Sequence, residues 1–405
     1  MAWRRYLLSG LALLAAQAHA AHPDPVVRTH QDWLAAQASP AGTPLDALMP
    51  HGKRRFIAAL SWSERGLRGL PTAALVRELD DAALLRVLTF LDSADLYPLL
   101  RRQLVGAPLR LPAPSGAVER ALAALEQADA DDMNEAFAQS TGASGAPRLT
   151  RTYASLFAAR IDGAALAWQA TADLPLLFDA AAQASLREPA GPASIHLRRV
   201  HREMAARGID TRRTFDRTLF DAMLAERAFD EARRFAAGRA HMQDYPVPQV
   251  VDGRGDVTTA RSVYAIDAAG AVLTRQALPA PRRQLVMVVG AGCGFSQAAL
   301  DDIVRDAPLL ARLREANLIT VTPPRAPVAW QFMAHWNTVH EELPIVAPAD
   351  AGEWRAVDVT GVPAFFLLQD GRPVGQPVTG WPREGNKAAL LDLLARGRAP
   401  ASMEE

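Results

Sequence analysis

From residue 22 to the Pro246-Val247-Pro248 segment, apolar side chains recur at every third or fourth position and almost never alternate. That spacing lines one face of a helix, not one face of a strand, so helices are the economical reading. Pro71 is expected to open one helix, with Leu75 and Leu79 on its inner face. Asp80 or Asp81 is expected to cap the next, which runs through Leu84, Leu85, Leu88 and Leu91, and a further helix covers 118–126. The run Ser140-Thr-Gly-Ala-Ser-Gly-Ala-Pro147 is small and breaker-rich, which places a joint near 140–148. An all-α domain is therefore expected over 21–250, followed by an α/β domain over 258–397 and a tail at 398–405.

The first twenty residues, MAWRRYLLSGLALLAAQAHA, set Arg4 and Arg5 before an apolar run from Leu7 to Ala16. Ala18-His19-Ala20 then supplies a small-x-small cleavage site, so 1–20 reads as a signal peptide and the protein as periplasmic or secreted. A membrane anchor needs roughly 20 apolar residues in a row, about twice what is present. The paired arginines match a twin-arginine export motif poorly. No later run is apolar enough to insert, so no membrane insertion is expected. Lys plus Arg equals Asp plus Glu at 44 each, which leaves no bulk positive field for nucleic acid. The positive charges are Arg except for Lys53 and Lys387, and this reads as coding bias, not as chemistry. A single cysteine, Cys293, excludes an internal disulfide and a cysteine-based zinc cluster. His196 and His201, like His335 and His340, are five apart and so on different helical faces, which reads as hydrogen-bonded or solvated histidines and not as metal ligands. No metal and no cofactor are expected.

Within the helical half, residues 195–237 read as helical hairpins with turns at Gly208 and near Arg227. Their second part resembles the helix pairs of tetratricopeptide-type repeats, with Leu219, Leu224, Phe229 and Ala232 in the interlocking positions. No second copy is found, so plain helix packing and a partner-binding surface both stay open.

From about 258 the signals change. Residues 262–266 and 271–273, on either side of Asp267-Ala-Ala-Gly270, read as a hairpin. The continuous apolar run 284–289 suits a strand covered on both faces. It leads into Gly290-Ala-Gly-Cys293-Gly-Phe-Ser-Gln297 and a helical stretch. Further strands are expected at 318–322, 364–368 and, after the tight turn Asp370-Gly371, 374–379; helices are expected at 328–342 and 387–394. Trp330, Met333 and Trp336 read as core. Alternating strands and helices give an α/β order.

A cysteine that follows a buried strand and opens a helix, Thr360-Gly-Val-Pro363-Ala before a strand, and Gly380 after the last strand occur here in the order of one known family. The region resembles the thioredoxin superfamily, most of all its exported members with an added amino-terminal hairpin. The resemblance implies a thioredoxin-like domain with Cys293 as nucleophile. It implies a cis Val362-Pro363 bond beside the sulfur, and a backbone edge at Val362 for a substrate peptide. A sulfur at a helix start meets unpaired N–H groups, which favours the thiolate over the thiol's ordinary value of about 8.5. Glycines at 290, 292 and 294 keep it reachable.

The departure is Cys293-Gly294-Phe295-Ser296 in place of a cysteine pair. Without a second sulfur, Cys293 cannot resolve its own mixed disulfide. The letters coincide with the site of monothiol glutaredoxins, but their glutathione-binding lysine is missing from the flanks. Ser296 is expected to donate a hydrogen bond to the thiolate, with Gly294, Phe295 and Val362 contacting substrate. Two functions stay open: thiol–disulfide exchange with a protein or low-molecular-weight thiol, or a redox-inactive scaffold or chaperone-like binding module that holds a protein partner.

Overall fold

The computed structural model describes residues 26–40, 42–63, 66–138, 147–255, 261–359, 361–382 and 385–396. The signal peptide, most of the joint near 140–148, the domain start at 258, Thr360 and the tail at 398–405 lie outside them.

The chain forms two compact units, divided between Arg102 and Gln103. The first holds helices α1 (His30–Ala38), α2 (Pro50–Ala59), α3 (Thr72–Glu78), α4 (Asp81–Phe90) and α5 (Tyr97–Arg101). It also holds an antiparallel hairpin, β1 (Ser61–Ser63) with β2 (Gly66–Gly69), so this part is not all-α as its periodicity implied. Local chemistry sets the helix starts. Thr29 and Asp32 form a reciprocal capping box on α1, and the Asp80 carboxylate accepts from Ala83 N at 2.8 Å to cap α4. Pro71 stands at the N-cap of α3, one position before the expected one, and Leu75 and Leu79 are fully buried behind it.

The second unit opens with helices α6 (Gly116–Ala138), α7 (Pro147–Tyr153), α8 (Ala159–Ile161), α9 (Leu174–Arg187), α10 (Pro192–Ala206), α11 (Phe215–Ala225) and α12 (Phe229–Ala237). A π-helical turn at Ala154–Ala158 joins α7 to α8. Then follow β3 (Gln249–Asp252), β4 (Ser262–Ile266), β5 (Val272–Ala277), β6 (Arg283–Val288), α13 (Gly294–Arg305), α14 (Ala307–Glu315), β7 (Ile319–Val321), α15 (Trp330–Val339), β8 (Ile345–Pro348), β9 (Ala364–Gln369), β10 (Arg372–Pro373), β11 (Val378–Thr379) and α16 (Lys387–Arg396).

These strands make one mixed sheet in the order β10-β9-β6-β7-β8-β4-β5-β3, with β11 also on β9. Strands β6, β7 and β8 are parallel, while β9 runs antiparallel to β6. The hairpin β4–β5 extends the sheet through β8. Alternate residues of β6 explain its unbroken apolar run. Leu285 and Met287 join one buried cluster, and Val286 and Val288 join another with Trp354 and Val357. The first cluster is continuous from Val118 of α6 to Leu394 of α16, and the ring of Phe229 meets that of Tyr264 edge-on at 5.3 Å. Composition changes near 250, but compactness does not. The helices after residue 103 share one core with the sheet. Among the described residues no helix is long and apolar enough to cross a membrane.

Candidate functional site

Strand β6 ends at Val288, and the chain turns through Gly290, Ala291 and Gly292 to Cys293, the N-cap of α13. Two of the glycines are required, one by a close side chain and one by its backbone angle. A Cβ at Gly290 would lie 2.8 Å from Val362 Cγ2, and Gly292 has φ +73°. Gly294 meets neither demand, since nothing lies within 4 Å of an added Cβ there. Cys293 O accepts from Gln297 N at 3.0 Å, the first bond of the helix.

Cys293 is half-buried, and its Sγ–H donates to Val362 O at 3.6 Å. The Val362-Pro363 bond is cis. Pro363 O accepts from Gly380 N at 2.8 Å, and Gly380 takes φ +76° to make that turn. Cys293 and Val362 are thus brought together next to Pro363, and Phe295, on the first turn of α13, is 62% exposed. Ser296 is placed otherwise than expected. It is fully buried, and its Oγ accepts from Gly290 N at 3.1 Å. Among the described residues no hydrogen bond links it to the sulfur. In the first turn of α13 this side chain faces inward, where the turning loop offers a free N–H, so the hydroxyl ties the loop and not the thiol.

A cleft of about 430 Å³ adjoins this loop, lined by Gly290 and Ala291, by Phe220 and Leu224 of α11, by Tyr245, by Thr322 and Pro323, and by residues 326–332. On its wall Arg217 Nε donates to Asp221 at 2.9 Å, and the guanidinium lies 4.2 Å from the centre of the Tyr245 ring. Burial holds the Asp221 carboxyl above its ordinary range, against the pull of Arg217. Sequence reading missed these residues, because α11 reaches the loop only through tertiary packing. Trp330, Met333 and Trp336 are buried, as their spacing implied.

Arg227 supports the same region. Its guanidinium donates to the carbonyls of Leu224 and Ala225 on its own turn, and to those of Pro324, Ala326 and Pro348. Burial pulls its ionisation down to about 10. Elsewhere in the helices His196 links Tyr153 OH at 2.8 Å to Asp162 at 2.9 Å, and His201 Nε2 lies 2.6 Å from Asp216. Both histidines are buried and hydrogen-bonded. Among the described residues no group of three or more His, Cys, Asp or Glu side chains could hold a metal ion.

No family model matches the chain, and no curated protein matches it. Among solved structures, the reduced N-terminal domain of PilB from N. meningitidis is 22% identical with a TM-score of 0.22, over 29% of this chain and 83% of that one. A thioredoxin-like protein from Bacteroides caccae is 12% identical with a TM-score of 0.22, over 73% of this chain and 100% of that one. Likenesses of that size carry no argument of their own. What the structure itself gives for the region from β4 to α16 is a mixed sheet of this strand order and a Cys293 sulfur that meets Val362 O next to the cis Val362-Pro363 bond.

Proposed function

We infer that this is an exported thioredoxin-like protein that presents one thiol for exchange with disulfides. The observation that carries the reading is the half-buried Cys293 sulfur at the start of α13, 3.6 Å from Val362 O and next to the cis Val362-Pro363 bond. In the proposed reaction the Cys293 thiolate attacks one sulfur of a substrate disulfide. A mixed disulfide forms, and the other sulfur leaves as a thiolate that takes up the proton Cys293 released. A second thiol, from a low-molecular-weight thiol or a protein, then attacks the substrate-side sulfur. Cys293 is regenerated, and the substrate sulfur stays joined to the resolving thiol. One disulfide is broken and one made in each step, so no other oxidant or reductant is needed. Ser296, buried where dithiol relatives carry their second cysteine, fits a role in holding the loop.

A binding-module reading draws on the aromatic-walled cleft beside the loop. Exposed Trp168 and Ile195 in the helical part offer a surface for a protein partner. Incubating wild-type and Cys293→Ala protein with oxidised glutathione, and with a protein bearing one exposed disulfide, separates the readings. Exchange predicts reductant-sensitive adducts on the wild type alone, measured by intact mass. An unmodified wild type that still captures the partner protein favours the binding module.

A further inference from the structure

Away from the thiol loop, a cleft of about 620 Å³ gathers four arginines from distant parts of the chain. Arg151 comes from α7, Arg187 from the end of α9, Arg325 from the segment after β7, and Arg355 from the 3-10 turn Ala351–Val357. They fall into two pairs. Arg187 Nε donates to Asp129 Oδ1 at 2.9 Å, and its Nη2 lies 2.7 Å from the same oxygen. Arg325 Nε lies 2.6 Å from Oδ2 of the buried Asp358, while its Nη1 donates to Arg187 O. Those bonds fix both guanidinium planes. They leave Nη1 of Arg187 and Nη2 of Arg325 without a hydrogen bond among the described residues. Arg151 and Arg355 are exposed, and neither guanidinium is hydrogen-bonded to or ion-paired with any described residue. Glu188, also exposed, is the one acidic side chain on the lining.

Gathered like charges repel unless an anion sits among them, and Asp129 and Asp358 neutralise two of the four from behind. Glu188 offsets one of the remaining two, so the lining keeps a net positive charge and two guanidinium groups free to meet an anion. A carboxylate offers two oxygens, whereas a phosphate monoester offers three terminal oxygens and a charge of about −1.5 to −2 near neutral pH. Planar guanidinium forks suit that geometry. A cleft of this size also has room for an organic portion, against Pro147, Pro189 and Ala351.

We propose that this cleft binds a small molecule through a phosphate group, with Arg187 and Arg325 as the preset half of the site and Arg151 and Arg355 closing on the anion. The site is independent of Cys293 chemistry. Calorimetric titration of the full chain with glycerol 3-phosphate, inorganic phosphate and succinate, at one ionic strength set with sodium chloride, tests it. Saturable one-site binding of both phosphate probes is expected, with succinate weaker. The double variant Arg151→Gln/Arg355→Gln is expected to bind glycerol 3-phosphate at least about tenfold more weakly, and Arg151→Lys/Arg355→Lys to recover part of the loss. Both side chains are exposed, so the melting temperature of the free protein should not move, and the lysine variant controls for any folding change. Unsaturable binding, succinate as tight as phosphate, or full affinity in the glutamine variant overturns the proposal.

Discussion

Arg227 and Cys293 are both half-buried in one compact unit, yet they are bonded in opposite ways. The guanidinium spends its donors on backbone carbonyls from three separate segments, whereas the thiol makes one long contact, to Val362 O. A buried cation must be saturated with partners or it destabilises the fold, so it ends up dictating the shape around it. A nucleophile needs the reverse: an orbital not committed to the protein and a path to the reactant. The loop at Cys293 is accordingly held through Gly290 and Ser296, the facing Pro363 through Gly380, and the sulfur is left loosely tied.

The contrast breaks most visibly at Arg227. Replacing it by Met strips the carbonyls of Pro324, Ala326 and Pro348 of their donor, and should cost about 4 kcal/mol in denaturant unfolding. Arg227→Lys should recover only part of that. A loss below about 1 kcal/mol for the Met variant would mean the cation is not what holds this wall.

Next in size is Asp216. Burial raises its carboxyl, but hydrogen bonds from His201 and Thr211 and the charges of His201 and Arg239 more than reverse this, to about 2. A carboxyl lowered from 3.8 contributes stability that is fully present above 3.8 and is lost as pH falls through about 2. Asp216→Asn should therefore cost about 2 kcal/mol near neutrality, with the gap to wild type closing over that acid window. Acid unfolding curves of the two proteins that stay parallel down to the lowest pH would count against it.

Ser296→Ala should have the smallest effect and sharpens the comparison on the thiol side. Loss of the bond to Gly290 N should cost about 1 kcal/mol. The pH profile of Cys293 alkylation should stay where it is. A displaced profile would return the hydroxyl to the sulfur, as the four-residue motif alone implied.

What the sequence made legible was whatever local pattern dictates. The hairpin of β4 and β5, the doubly covered β6 and the cysteine at a helix start follow from alternation, an unbroken apolar run and glycine placement. Strands β3 and β8 escaped. Each has four residues, β3 is exposed throughout and β8 ends in Pro348, so pairing with β5 and with β7 defines them, not propensity. The stretch 374–379 reads as a single strand, yet only Val378 and Thr379 pair there, after a turn at Gly375 with φ +72°. The boundary near 250 marks a change of composition, whereas Phe229 against Tyr264 carries one core across it. Arginines that read as coding bias converge in one cleft because α7, α9 and the segments after β7 and β8 meet there. No spacing along the chain encodes that meeting.

The central claim is that Cys293 is reachable in the folded protein. Its rate of reaction with a chromogenic aromatic disulfide, measured in native buffer and again in denaturant, tests this most directly. Native protein should release one equivalent of reporter thiol at a rate within about tenfold of the unfolded chain. A native rate slower by about a thousandfold or more, rising only as the protein unfolds, would place the sulfur out of reach and contradict the account.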